Sequence, residues 1–265
     1  MLKDITIGQH YPVDSFIHKL DARVKLVATL VFMISLFVIN KFWAYGLVVL
    51  LLTLVIKKSK IPMKLIVKGL KPLRWIILFT FIINIFFLPG EELWSFGFLS
   101  ITREGIQQSV FMAVRLLFLV IGTSLLTLTT SPMDLTDGIE RLLKPMNKIG
   151  LPVHELAMMM TIALRFIPTL LDETDKIMKA QMSRGADFES KNIISRAKNL
   201  IPLLVPLFIS AFRRADELAM AMEARCYRGG YNRTKMKQVC ISKDDNVTIG
   251  ILIIYMGIII ATRFI

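Results

Sequence analysis

The sequence predicts an all-α, polytopic membrane protein: about five transmembrane helices and, between the fourth and the fifth, a cytoplasmic module of amphipathic helices. Three observations predict it. Dense apolar runs occupy residues 24–39, 42–56, 76–89, 110–129 and 247–262. The stretch 130–246 between the last two is polar, with 18 Lys/Arg and 14 Asp/Glu. Positive charge is concentrated in alternate loops. Overall the chain is only modestly apolar, 54% hydrophobic with a mean hydropathy of +0.60, against roughly 45–50% in soluble domains. The distribution therefore decides the class.

Residues 1–23 form a polar lead-in that runs through Ser15 to Arg23 into the first span. A helical span takes roughly 17–25 residues, so the runs at 42–56 and 76–89 must borrow flanking residues, tilt or thin the bilayer. The loop between spans two and three carries Lys57, Lys58, Lys60, Lys64, Lys68, Lys71 and Arg74, whereas the loops on the other side carry Lys41 alone, or Arg103 against Glu91, Glu92 and Glu104. Positive loops stay inside. The N-terminus and residues 130–246 are therefore expected in the cytoplasm, and the C-terminus outside, giving a multi-pass protein of the cell membrane. Three parts follow: 1–129 with four spans, the module 130–246, and the last span in 247–265. Trp43, Trp75 and Trp94 fall near span ends, where interfacial aromatics belong. The charge of +13 expresses this topology; its spread over juxtamembrane loops without a recognition motif gives no support to a nucleic-acid partner. Contact of the 57–74 loop with anionic lipid is compatible with its charge. No cleavable signal is expected, because no small-residue cleavage site follows the first apolar run.

Within the module, Ser131-Pro132-Met133-Asp134 reads as a helix start, with a capping Ser, Pro at the first position and an early acid. That helix should run to about Lys144 and break at Pro145. From Val153 onward Leu156, Met159, Met160, Ala163, Ile167, Leu170, Leu171, Thr174, Ile177 and Met178 recur at steps of three and four, the period of an amphipathic helix, expected to bend near Pro168. A second such stripe, Leu200 to Met222, has Pro202 and Pro206 near its start. His154, Glu155 and Arg165 argue against a span at 151–171.

Both long stripes end alike. Asp175, Ala180 and Arg184 reappear as Asp216, Ala221 and Arg225 at identical spacing, 41 residues on. Each Arg stands near a helix C-terminus, where the macrodipole favours a cation by about 0.3–1 kcal/mol, so helix capping accounts for either one alone. Two matched arginines flanked by small residues (Ser183 and Gly185; Ala224 and Cys226) also suit helix ends that enter a groove and meet carboxylates bidentately. Ten of the fifteen methionines lie in 130–246, as core filling or as an adaptable apolar surface. Arg115, in the fourth span, either lines a substrate path or packs structurally.

Enzyme signatures are absent. There is no phosphate-binding loop of the nucleotide-hydrolase type, and His154-Glu155 lacks the second His of a zinc-protease helix. No cofactor or metal is expected in this chain, and Cys226 and Cys240, in a reducing compartment, suggest neither a disulfide nor a metal site. The alternative function, a self-contained secondary transporter, is weakened by spans almost free of ionisable residues.

The chain resembles the transmembrane (T) component of energy-coupling factor transporters, the ABC-type vitamin and metal importers of prokaryotes. The resemblance rests on the lead-in Ser15 to Lys25, the motifs Ser183-Arg184-Gly185 and Ala224-Arg225-Cys226, and the segments Leu164 to Pro168 and Ala221 to Arg225. Ser183 departs from Ala, Cys226 from Gly, and Ala22 from a common Pro. The resemblance implies a scaffold and not an enzyme. Ser183, Arg184, Gly185, Ala224, Arg225 and Cys226 would dock on two cytoplasmic ABC-type ATPase subunits, which bind the ATP and Mg. Met159, Met160, Met178, Phe208, Phe212 and Met222 would face one or more membrane-embedded substrate-binding S components.

Overall fold

The computed structural model describes residues 10–87, 91–96, 99–188, 193–230 and 241–264. Ten α-helices are described: α1 Phe16–Lys19, α2 Ala22–Val38, α3 Tyr45–Ser59, α4 Met63–Leu70, α5 Arg74–Phe87, α6 Arg103–Thr129, α7 Pro132–Leu143, α8 Val153–Ser183, α9 Ile193–Ala224 and α10 Lys243–Phe264. The helical class holds, with one small departure. The short connection between α5 and α6 is an antiparallel hairpin of β1 Glu92–Phe96 and β2 Leu99–Thr102, with Phe96 opposite Leu99 and an irregularity between Glu92 and Trp94. The Trp94 side chain and Cys240 lie outside the described residues. The described residues form two compact units, 10–138 with 241–264, and 139–230. The boundary falls inside α7.

Four described helical segments are long and apolar enough to cross a membrane, Phe42–Ser59, α6, α8 and α10; α4 and α5, bent by 56° at their junction, make a fifth if taken as one span. The 17 residues of α2 reach about 25 Å at 1.5 Å per residue, the lower limit for a span. The sequence stripe sets α8 apart from the others, because its apolar residues occupy one face. Multi-pass membrane architecture is thus common to sequence and structure.

The first unit builds a core around α2, α3, α6 and α10. Leu36, Val48 and Ile259 are completely enclosed. Tyr45 sits in an aromatic cluster, its ring 5.0 Å from Phe111 and 5.7 Å from Phe118. The backbones of α2 and α6 come close because Gly122 has no side chain: a Cβ there would lie 2.5 Å from the Phe32 ring. The hydroxyls of Ser35 and Tyr255 meet at 2.9 Å, pinning α2 to α10. Arg115 has a structural role. Its guanidinium donates to the Ile39 carbonyl at the C-terminal cap of α2 (3.3 Å) and lies over the rings of Phe111 and Phe37. A cation at a helix C-terminus is favoured by the dipole, so Arg115 closes the end of α2.

At the other end of these helices lies a polar knot. Asp245, 2% exposed, accepts from the backbone N–H of Asp21 (2.9 Å) and from the N–H and hydroxyl of Ser242 (2.8 and 2.9 Å). Asp21 accepts in turn from the Arg23 backbone N–H and pairs with its guanidinium at 2.6 Å. The buried Lys25 ammonium donates to the carbonyls of Thr129 and His18, both at 2.9 Å, with the carboxylates of Asp134, Asp245 and Asp21 around it. The knot joins the N-termini of α2 and α10 to the C-terminus of α6. Thus α2 and α10 run in one direction and α6 in the other. The predicted start of α7 is also realised: the Ser131 hydroxyl accepts from the Asp134 N–H at 3.1 Å, with Pro132 first in the helix. The lead-in is tied to the same place, since the Tyr11 N–H donates to the Leu128 carbonyl at 2.9 Å.

Asp245→Ala removes the acceptor of the buried Asp21 N–H, and leaving such a group unsatisfied costs about 1–3 kcal/mol, besides the two bonds from Ser242. It is expected to lower the thermal unfolding midpoint of the detergent-solubilised protein, whereas Asp244→Ala on the exposed side of the same turn leaves it unchanged. A pH effect follows from His18. Its Nε2 faces the Tyr11 carbonyl at 3.0 Å and so carries the hydrogen, while Nδ1 lies 2.6 Å from the Ser15 hydroxyl. Burial holds its pKa below the usual 6.5. The unfolded chain therefore takes up a proton first, so stability falls as pH drops through 6.5 and levels off below the folded pKa. The midpoint of wild-type protein should fall between pH 7.5 and 5.5 by more than that of His18→Gln.

Candidate functional site

The second unit is built on α8 and α9, two long helices that keep Pro168, Pro202 and Pro206 inside them. The sequence places Pro202 and Pro206 near the start of the second helix; α9 in fact begins at Ile193, about two turns before Pro202, because a proline costs only the hydrogen bond and packing of the preceding turn where tertiary contacts hold the helix. The 3₁₀ turn Lys144–Ile149 follows α7, at the break expected from Pro145.

The two helices are antiparallel. Gln181 on α8 donates to the Pro202 carbonyl on α9 at 3.3 Å, and Glu155 at the other end of α8 accepts from the Gly230 N–H at 3.3 Å. Midway, the Glu173 carboxylate takes a hydrogen bond from the Ser210 hydroxyl and pairs with the Arg214 guanidinium at 3.1 Å. Arg214 lies 41 residues beyond Glu173, the spacing of the sequence repeat. A pair at the repeat distance is the contact that an approximate two-fold rotation between two antiparallel helices maps onto itself, so the brace marks the axis of the pair. Beside it an apolar cleft of about 380 Å³ opens between the helices. Ala163, Ile167 and Leu170 line one wall and Ala211, Ala215 and Leu218 the other. These are residues of the two predicted stripes.

The helix ends carry the repeat into hydrogen-bond detail. At the end of α8 the Ala186 N–H donates to the Gln181 carbonyl and the Gly185 N–H to the Met182 carbonyl, both at 3.0 Å. At the end of α9 the Tyr227 N–H donates to the Met222 carbonyl at 3.0 Å and the Cys226 N–H to the Glu223 carbonyl at 2.8 Å. Both are Schellman motifs with Arg184 and Arg225 in the cap position and Gly185 and Cys226 following in the left-handed region, at φ 91° and 55°. The three residues of each predicted docking motif are thus the last helical residue, the cap and the left-handed residue. Ser183, Arg184, Gly185, Ala224, Arg225 and Cys226 are all exposed, and neither Arg184 nor Arg225 has a carboxylate partner among the described residues. Because the helices are antiparallel, the two tips stand at opposite ends of the pair. Gln181 and Glu155 mark those ends and are separated by about 40 Å of helix at 1.5 Å per residue.

The six predicted apolar surface residues divide. Met159, Met160, Phe208 and Phe212 are 44–67% exposed, whereas Met178 and Met222 are half-buried, and Met222 lines the cleft. Sequence reasoning missed the Glu173–Ser210–Arg214 brace, although the 41-residue offset was the signal that pairs Glu173 with Arg214. It also missed the return of the chain after α9, where the Gly230 backbone lies against the His154 ring, itself 3.0 Å from the Glu140 carboxylate.

The left-handed residues give a paired test. A non-glycine residue in that region costs about 1–2 kcal/mol, so Cys226→Gly is expected to stabilise the folded chain by about 1 kcal/mol or slightly less. Gly185→Ala should destabilise it by a similar amount, for backbone reasons alone, since nothing lies within 4 Å of a Cβ there. Thermal unfolding midpoints of the two variants should move in opposite directions.

Comparison with known proteins places this architecture. The family described as cobalt transport protein (CbiQ) matches residues 14–236. The energy-coupling factor transporter transmembrane protein EcfT of Ruminiclostridium cellulolyticum is 57% identical over 265 residues, 100% of this chain and 99% of the relative. That of Clostridium kluyveri is 59% identical over 265 residues, 99% and 98% of the two chains, and that of Bacillus subtilis strain 168 is 46% identical over 256 residues, 96% and 97%. A likeness that runs the length of both chains and takes in both arginine motifs is a likeness of the whole molecule: the chain belongs to the CbiQ/EcfT family of transmembrane components of energy-coupling factor transporters.

Proposed function

We propose that this chain is the scaffold through which two cytoplasmic ATPase subunits move a substrate-binding S component during vitamin or metal-ion uptake. One observation carries the reading: two helices end in the same Schellman motif, each with an exposed arginine at its cap. An arginine held by a closed helix end is pre-oriented, and its planar fork suits bidentate pairing with a carboxylate on a partner. Tips at opposite ends of an antiparallel pair cannot enter one small groove, so the two arginines call for two receivers. The brace at Glu173 makes the pair a single body, and displacement of either tip is then felt at the other.

The remaining assignments follow from this one. The module 130–246 lies on the cytoplasmic side together with the N-terminus, in keeping with the positive charge of the 57–74 loop. ATP and Mg belong to the partners, since this sequence has no nucleotide-binding motif. The exposed Met159, Met160, Phe208 and Phe212 offer the S component an apolar surface, and methionine lets such a surface adapt to different partners.

The double variant Arg184→Glu with Arg225→Glu should reduce the ATPase subunits co-purifying with the tagged chain by more than about tenfold, the scale of losing charge-assisted pairs worth about 1.5–3 kcal/mol each, while membrane insertion stays normal. Undiminished co-purification would refute the proposal. Arg184→Lys with Arg225→Lys keeps the charge and loses the fork, and an intermediate yield is expected from it.

A further inference from the structure

We propose that α4, with the end of α3, is a binding face for the headgroups of anionic phospholipids. From Ala22 to Gly90 the sequence contains no Asp or Glu, while residues 57–74 alone carry six lysines and one arginine. Every one of these seven is exposed, and none has a carboxylate partner among the described residues. At about 100° per residue, Lys64 and Lys68 of α4 and Lys71 at its C-cap fall on one narrow stripe. Ile66, 2% exposed, anchors the opposite side in the core. Between the stripe and the anchored side lie Met63 and Val67, apolar yet 59% and 57% exposed.

That order around the helix, buried anchor, exposed apolar edge, cationic stripe, is the pattern of a helix lying in a membrane interface. The 56° bend between α4 and α5 turns α4 away from the axis of the apolar helix that follows it. At the bend Arg74 lies over the ring of Trp75, 5.4 Å from its centroid, and Trp75 is 66% exposed. An exposed Trp with a stacked arginine at the start of an apolar helix marks headgroup level. The partner is therefore a phosphodiester presented by a lipid surface. An acidic protein would be met by the cationic stripe without any need for the exposed Met63, Val67 and Trp75 beside it.

The test uses the full chain in detergent with equal amounts of phosphatidylglycerol and phosphatidylcholine of identical acyl chains, and counts retained lipids by native mass spectrometry. Wild type should retain phosphatidylglycerol with a preference of about tenfold or more, since each cation near an anionic surface multiplies binding about fivefold. The preference should weaken as salt rises. K64Q/K68Q/K71Q should lose it, and K64R/K68R/K71R should keep it. If the glutamine variant does not insert, the single variants K64Q, K68Q and K71Q carry the test, each with a reduced preference. Equal retention of both lipids by wild type, or a full preference in the glutamine variants, would overturn the proposal. Displacement of phosphatidylglycerol by millimolar inorganic phosphate would overturn it by assigning the stripe to a soluble anion. Loss of an associated protein from the glutamine variant with lipid preference intact would assign the stripe to that protein.

Discussion

The knot of Asp21, Lys25 and Asp245 is the constraint on which the rest of the molecule depends. The chain leaves its first unit through the end of α6 and the start of α7, and returns to it at the start of α10. Both connections pass through this one place. Lys25 holds the last carbonyl of α6, Asp245 holds the first turn of α10, and both are tied to the start of α2. Helix ends carry unpaired N–H and C=O groups that must be satisfied wherever they are buried. Here the orphan groups of one helix are partnered by charged side chains of another. Each cap is therefore also a link between helices, and the insertion of a hundred-residue module between α6 and α10 leaves their relative position fixed.

The module is organised by an internal symmetry instead of by a large core. Among the residues of α8 and α9 whose side chains are described, few are buried completely, and Leu203, Val153 and Ala157 are the buried apolar ones. What spans the pair is the brace at the repeat offset, with the apolar cleft beside it. A central charged pair fixes the register of the two helices, the best-attested use of such pairs. Proline inside both helices is compatible with this, because the turns it weakens are held by the neighbouring helix.

Much of this was legible in the sequence because the signals were periodic or punctuated. The apolar runs located α2, α3, α5 and α10 to within a few residues and the end of α6, which begins seven residues before its run, and Ser131-Pro132 located the start of α7. The two stripes identified the facing residues Ala163, Ile167, Leu170, Ala211 and Ala215. The Schellman ends could be anticipated at Gly185, where glycine advertises a left-handed residue, but not at Cys226, where a residue with no such preference takes the same conformation. The knot was illegible for a different reason. Asp21 and Asp245 are 224 residues apart, and nothing local in either segment signals that a capping carboxylate also serves a second helix. The hairpin of β1 and β2 was missed because two short strands leave too few residues for alternation to register, and α4 because its eight residues are too few for a span.

The ionisable groups of the first unit bear on the alternative of a self-contained, ion-driven carrier. Carriers driven by an ion gradient keep acids or histidines at membrane depth, where protonation or ion binding changes their contacts. In this sequence the apolar runs of α2, α3, α5, α6 and α10 contain no Asp, Glu or His, and the cation deepest within them is Arg115. That cation is already engaged with the C-terminal carbonyl of α2 and with two aromatic faces. Lys25, near the start of α2, is likewise engaged with backbone carbonyls. Charges fixed to helix ends lock helices; they do not cycle. These five apolar runs thus carry none of the acids or histidines that ion-driven carriers keep at membrane depth. Arg184 and Arg225 differ from both Arg115 and Lys25: at the caps of α8 and α9 they are exposed and have no carboxylate partner among the described residues.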